Sequence, residues 1–298
     1  MDKIQAAIAK ARAARDTAAR IPAKPPVAAP APAPAPASQA VARPPSKRSQ
    51  IIRPSTDRSS IWLPLPNFVP SAKQMAKQRV VTFDIAARKT PGAAAFDMLR
   101  TKILQQMRTQ GWKRLAITSP GTDCGKTTVT LNLAFSLSKQ SEVHTIVGEM
   151  DMRRPSLSKS LGISGGGSFA AVLEGKAKFA DVAMRPRPNL AFAVNYGPVR
   201  NPSELLQSST IEPALDDIEA RYEPDLTIFD MPPMLHTDDT LAFMDLVDCV
   251  LLVAAAESTS LAEIDVCERD LAAQTNVIGV LLNKCRYMDK DVGKAGYE

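Results

Sequence analysis

Three stretches of the chain combine residue types and spacings that suit phosphate and metal chemistry. The first is Ile117-Thr-Ser-Pro-Gly-Thr-Asp-Cys-Gly-Lys-Thr-Thr128. An apolar run leads into it and a helix-forming run leads out, which is the context a phosphate-binding loop needs. The backbone of Gly121, Thr122, Asp123, Cys124 and Gly125, with the helix N-terminus, would cradle a polyphosphate. Lys126 would reach the β- and γ-phosphates, the Thr127 hydroxyl would ligate Mg²⁺, and Thr128 would touch the α-phosphate. The usual G-x-x-x-x-G-K-[ST] spacing wants glycine at Pro120, whereas Gly121 comes one place later.

The second stretch is Thr145-Ile-Val-Gly-Glu-Met-Asp-Met-Arg-Arg-Pro155, an apolar run ending in Glu149 and Asp151. Residues two apart on an extended strand share a face, so both carboxylates would look toward the Mg²⁺ side. Glu149 would then accept a hydroxyl proton, and Asp151 would order the metal and its waters together with Asp230. The other reading is a solvated strand exit. Arg153 and Arg154 would pair with a phosphate group or begin a solvated helix. The third stretch, Asp225-Leu-Thr-Ile-Phe-Asp-Met-Pro-Pro233, ends its apolar run in Asp230, which would hold Mg²⁺ through its water shell. Asp239 follows as a candidate switch residue. Near the end of the sequence, Asn283 would lie near the base. Arg286 stands where guanine recognition needs an aspartate, and its guanidinium has no acceptor for guanine N–H groups, which favours ATP over GTP.

These stretches need a scaffold. The spacing gives strands at Arg114–Thr118, Val143–Gly148, Leu190–Val194, Leu226–Phe229, Asp248–Ala254 and Val277–Leu282. It gives helices at Ala93–Arg108, Lys126–Lys139, Ser203–Tyr222 and Ser258–Thr275. Short apolar runs alternating with longer periodic segments predict an α/β fold, a mostly parallel sheet with helices on both faces.

The first 60 residues differ in composition. Of the 24 prolines, ten fall between Ile21 and Pro54. Residues 1–20 read as a short basic Ala-rich helix, either a solvated tail or a docking helix. Residues 21–60 read as a disordered Ala/Pro-rich linker. Residues 61–79 hold an irregular apolar strap, IWLPLPNFVP, which packs on the domain or serves as a peptide ligand. The folded domain is read as 80–286, and 287–298 as a tail. Residues 1–50 hold nine Lys/Arg against two Asp, a net of +7, so the remaining residues carry −1 of the total +6. The folded part therefore gives no charge argument for nucleic acid. Four cysteines without metal spacing argue against zinc or disulfides, and no apolar run spans a bilayer. A cytoplasmic location is expected.

From about Ala93 to Lys284 the chain resembles the bacterial tyrosine kinases of polysaccharide export, the CpsD/CapB-like autokinases related to MinD and ParA. The matching stretches are TSPGTDCGKTT, EMDMRRP, NPSELL, FDMPPMLHTDD and GVLLNK. The resemblance implies a P-loop NTPase fold, ATP and Mg²⁺, and autophosphorylation of C-terminal tyrosines, here Tyr287 and Tyr297. It also implies activation by a membrane chain-length-determinant protein and recruitment to the membrane's inner face, with homo-oligomer formation. Three features depart from the family: Glu149 replaces the usual aspartate, Ala94 and Asp97 replace two residues of the oligomerisation helix of which Arg100 remains, and the tyrosine cluster is sparse. An ATPase switch of the MinD/ParA kind and an ATP-binding adaptor are the alternatives.

Overall fold

The computed structural model describes residues 58–84 and 90–285. The stretch read as an N-terminal helix, nearly all of the linker, Arg286, Tyr287 and Tyr297 lie outside the described residues. The strands are β1 Arg114–Thr118, β2 Thr145–Glu149, β3 Met184–Arg187, β4 Leu190–Ala193, β5 Leu226–Asp230, β6 Cys249–Ala255 and β7 Asn276–Asn283. They form one sheet in the order β3-β4-β2-β5-β1-β6-β7. Neighbours are parallel except for the antiparallel pair β3 and β4.

The helices are α1 Ser59–Trp62, α2 Ala72–Lys77, α3 Pro91–Gln110, α4 Lys126–Leu137, α5 Leu157–Leu161, α6 Phe169–Leu173, α7 Phe179–Val182, α8 Pro202–Leu206, α9 Ile211–Tyr222, α10 Asp239–Phe243 and α11 Leu261–Ala272. Every residue of β1, β2, β4, β5 and β6 is buried, as expected for parallel strands covered on both faces. One face packs Phe169, Phe229, Phe243 and Leu271, and the other packs Ile103, Phe135, Phe192 and Val253. Helix α4 is buried at every position from Val129 to Leu137, so the helix that follows the phosphate loop is anchored in the core.

The apolar strap packs on the domain. Trp62 is fully buried, and its Nε1 donates to the Tyr222 carbonyl at 2.8 Å. Arg58 pairs with Asp225 at 2.7 Å, and Asn67 bridges to Arg185. The strap runs on past Val80, where Asn132 of α4 accepts from the Val81 N–H at 2.8 Å and donates to the Arg79 carbonyl at 3.0 Å. The boundary read at Val80 therefore falls inside a packed segment.

Two other departures have local causes. The stretch read as one helix, Ser203–Tyr222, is split into α8 and α9. Between them Thr210 Oγ1 donates to the Leu173 carbonyl at 2.9 Å and the Thr210 N–H to Ser208 Oγ at 3.3 Å. These side-chain bonds compete with the helical ladder. Strand β3 contains Pro186 and is an edge strand, where the missing N–H is tolerated. Its sequence shows no apolar run.

Candidate functional site

The carboxyl ends of β1, β5 and β2 lie side by side, so the loops that leave them share one edge of the sheet. The loop after β1 turns into α4 through Asp123 and Gly125, both at positive φ (59° and 90°). The φ of Gly125 is one that a side chain would strain, and a Cβ there would also have to displace the Asn283 side-chain amide. Asn283, at the end of β7, donates from its Nδ2 to the Cys124 carbonyl at 2.9 Å. No side chain caps α4, which leaves its first N–H groups directed at the cleft.

An open cleft of about 630 Å³ lies over these ends. Thr122, Asp123, Gly125, Lys126, Thr127 and Thr128 line one side, and Asp151, Arg153 and Arg154 another. Lys126 Nζ donates to Asp151 Oδ2 at 2.8 Å. The Thr127 hydroxyl donates to Asp230 Oδ2 at 2.7 Å, and Thr130 donates to Asp230 Oδ1 at 3.2 Å. The structure thus brings together Lys126, Thr127, Asp151 and Asp230. Cys124 is buried in the loop, and Gly121 accepts from Ser119 Oγ at 2.7 Å.

Glu149 does not look into this cleft. Strand β2 ends at Glu149, and the next two N–H groups, of Met150 and Asp151, both donate to the Asp230 carbonyl at 2.9 and 3.1 Å. That turn breaks the alternation on which a shared face depended. Glu149 Oε1 accepts from the N–H groups of Ser156 (2.5 Å) and Leu157 (2.7 Å), and Oε2 from that of Asn195 (2.7 Å). Both carboxylate oxygens are thus occupied by backbone donors. Glu149 anchors the loop that follows Asp151 and is not placed to receive a substrate proton. Nor are the two acids a solvated strand exit, since both are buried.

Electrostatics follow from this crowding. Burial pushes Glu149 up to about 7 against the pull of its three N–H donors, with Asp230 pushing further. Burial also raises Asp230, and Asp151 adds to the rise, while Lys126 and the two threonine hydroxyls oppose it. Lys126 is disfavoured by burial, but Asp230 and Asp151 outweigh that and hold it above its ordinary value. One ammonium thus faces three carboxylates.

Several cleft residues carried little signal in sequence. Lys284 is at positive φ (60°) and lines the cleft. His236 lines the cleft together with Pro232 and Pro233. Asn195 binds both the carboxylate and the carbonyl of Glu149, yet nothing in its sequence neighbourhood marks it. His144 packs edge-on against Trp62, with ring centroids 5.0 Å apart.

No protein-family model matches the chain. It is 29% identical over 209 residues to EpsB of Ralstonia solanacearum, covering 70% of this chain and 27% of that protein. It is 24% identical over 197 residues to the tyrosine-protein kinase YwqD of Bacillus subtilis, covering 65% and 82%. The kinase domain of the Escherichia coli tyrosine kinase ETK superposes with a TM-score of 0.61 at 25% identity, over 78% of this chain and 93% of that one. The VpsO kinase domain gives 0.60 at 28% identity, over 71% and 98%. The chain resembles the bacterial tyrosine kinases. The tyrosine-kinase likeness holds in sequence and in a P-loop NTPase-like α/β fold. The chain spans about a quarter of the length of the first curated relatives it matches. Among the described residues no helix is long and apolar enough to cross a membrane.

Proposed function

We propose that the chain is an ATP-dependent protein-tyrosine autokinase that regulates exopolysaccharide or capsule synthesis and export. The observation that carries this reading is the meeting of Lys126, Thr127 and Asp151 at one cleft, with the buried Asp230 bonded to Thr127 behind it, in a chain that resembles tyrosine-kinase domains. The loop N–H groups and Lys126 bind the phosphates of ATP, and Asn283 and Lys284 stand at the base end. The donor set fits Mg²⁺: excess carboxylate charge surrounds Lys126, and a threonine hydroxyl lies beside Asp230. Magnesium is usually held by one or two carboxylates, water and substrate phosphates, which matches this donor set. When bound, it neutralises charge on the transferring phosphoryl group.

In the transfer, the tyrosine oxygen forms a bond to the γ-phosphorus while the bond to the bridging oxygen breaks and ADP departs. Lys126 must leave Asp151 for the phosphates when the nucleotide enters. Asp151 opens on the cleft and takes the hydroxyl proton in place of the sequestered Glu149. Tyr297 and Tyr287 are the proposed acceptors, in trans between copies. A membrane chain-length-determinant protein is the proposed activator, and it would hold the chain at the inner face of the membrane.

The test is incubation of the purified chain with labelled ATP and Mg²⁺, followed by phosphotyrosine mapping by mass spectrometry. Phosphate on Tyr297 or Tyr287, at a rate per molecule that rises with protein concentration, is the expected result. Phosphate release without phosphotyrosine gives the MinD/ParA-like switch instead. Tight binding with neither, even with the membrane partner present, gives the adaptor.

A further inference from the structure

Arg153 lines the cleft two residues beyond Asp151, yet its guanidinium is already engaged. Its Nε donates to Asp239 Oδ2 at 2.6 Å and its Nη2 to Asp239 Oδ1 at 3.0 Å. Nη2 also donates to Ser203 Oγ at 2.7 Å, and that hydroxyl donates to Asp239 Oδ1 at 2.7 Å. Three side chains from three segments close a ring. The Asp239 side chain is 1% exposed, whereas that of Arg153 is 43% exposed. Burial would raise Asp239, but Arg153 and Ser203 outweigh it and hold the carboxylate below its ordinary value.

The ring joins parts of the site that are otherwise separate. Asp239 begins α10, and the next residue, Thr240, donates to the Pro232 carbonyl at 2.8 Å. Thr118, at the end of β1, donates to the same carbonyl at 2.7 Å. The segment after Asp230 is therefore pinned to the strand that launches the phosphate loop. On the other side, the Val199 N–H donates to the Met152 carbonyl at 2.8 Å, beside the segment that carries Ser203.

We infer that Arg153 is a positioning residue, not a phosphate ligand: its fork on Asp239 and Ser203 fixes the loop that carries Asp151 against the segment that follows Asp230. The guanidinium suits this task because its planar fork holds a carboxylate at two points. The inference rests on the reading of the cleft as a MgATP site, and it concerns the spacing of the two carboxylates. It therefore predicts a magnesium-linked effect. Removing the fork lets Asp151 drift, which weakens binding of the magnesium complex. Nucleotide without magnesium engages Lys126 and the loop N–H groups and is little affected.

The experiment is calorimetric titration of the full chain with ATP, with and without Mg²⁺, for Arg153→Ala, Asp239→Asn and the double variant. Each single variant is expected to lose about 10-fold in affinity for MgATP, a typical loss for a supporting contact around metal ligands. The double variant should lose no more than either single one, and affinity for magnesium-free ATP should stay within about twofold. Arg153→Lys keeps the charge and lacks the fork, so it should fall between wild type and Arg153→Ala; it also serves if the alanine variant fails to fold. The inference is overturned if Arg153→Ala weakens ATP equally with and without magnesium while Asp239→Asn leaves binding unchanged, since Arg153 would then touch phosphate directly. Independent, multiplicative losses would overturn it as well. The readout is binding, so wild-type chain that binds MgATP without forming phosphotyrosine refutes the kinase reading alone. Wild-type chain that binds no MgATP refutes both.

Discussion

Lys126 and Asp151 form an ion pair of 2.8 Å between the first residue of α4 and the loop beyond β2, with both side chains almost wholly buried. Under the proposed reading, the pair lies where a γ-phosphate would bind. A bound nucleotide would then exchange one partner of Lys126 for another, so that the ammonium keeps an anion throughout. This explains how a lysine with little solvent access stays charged beside three acids.

Lys126→Met should remove nucleotide binding while leaving the fold. The side chain contributes a phosphate contact and little core volume, and the loss leaves the acids uncompensated. Affinity for MgATP should fall by about 10- to 150-fold, since a hydrogen bond to a charged group contributes about 1.5–3 kcal/mol. Circular dichroism and titration with MgATP check it together. Wild-type affinity in this variant would show that the loop does not hold phosphate.

Glu149 should give the nucleotide-free protein a measurable dependence on pH. Its carboxyl ordinarily titrates near 4.5 and is pushed up to about 7 in the fold. Between those values the folded chain keeps a proton that the unfolded chain has released. Stability therefore falls as pH rises from about 4.5 to about 7, by up to about 3 kcal/mol from this group. Glu149→Gln should flatten that part of the curve, at the cost of the N–H donors an amide cannot satisfy. Urea denaturation at pH 5 and pH 7.5 would decide, and equal slopes for variant and wild type would count against the assignment. Asp230 shifts in the same direction, so the comparison must be between the two slopes.

The strap should be part of the folding unit. Trp62 is fully buried and hydrogen-bonded to the Tyr222 carbonyl, with the rings of His144 and Tyr222 edge-on against it. Trp62→Ala should cost about 3–5 kcal/mol, the usual range for a deleted core aromatic. Starting the chain at Val80 should cost at least as much. Starting it at residue 57 keeps Arg58 on Asp225 and should leave denaturation unchanged.

Much of the scaffold was legible because its signals are local. Six of the seven strands among the described residues are apolar runs, and Asp151 and Asp230, the two acids that bond to Lys126 and Thr127, stand at or just beyond strand ends. The missing parts depend on tertiary partners. Nothing near Asn195 in sequence says that it will bind Glu149, 46 residues away. Strand β3 carries no apolar run because it lies at the edge and contains a proline. The alternation that placed Glu149 beside Asp151 holds only while the chain stays extended, and it turns after Glu149 to bond to Asp230. In α3, Asp97 accepts from Ser136 Oγ at 2.6 Å and from Arg100 at 3.0 Å. Asp97 and Arg100, two positions that the family resemblance would assign to an oligomerisation helix, are thus bonded within the chain.

Gly125→Ala tests the coupling between the phosphate loop and the base end of the cleft. Gly125 sits at φ 90°, where a side chain is strained, and an added Cβ would meet Asn283 Nδ2 at 2.3 Å. Relief requires either the loop to flatten or Asn283 to leave the Cys124 carbonyl. Both routes move the N–H groups that would cradle phosphate. MgATP affinity should therefore fall by about 100-fold, the scale of a displacement of about 1 Å. Asn283→Ala removes the tether without the clash, so it should cost less, and adding Asn283→Ala to Gly125→Ala should restore part of the loss. Binding titrations of the three variants give the answer. If the double variant is as weak as Gly125→Ala alone, backbone strain at Gly125 dominates and the steric coupling to Asn283 is not what sets the loop.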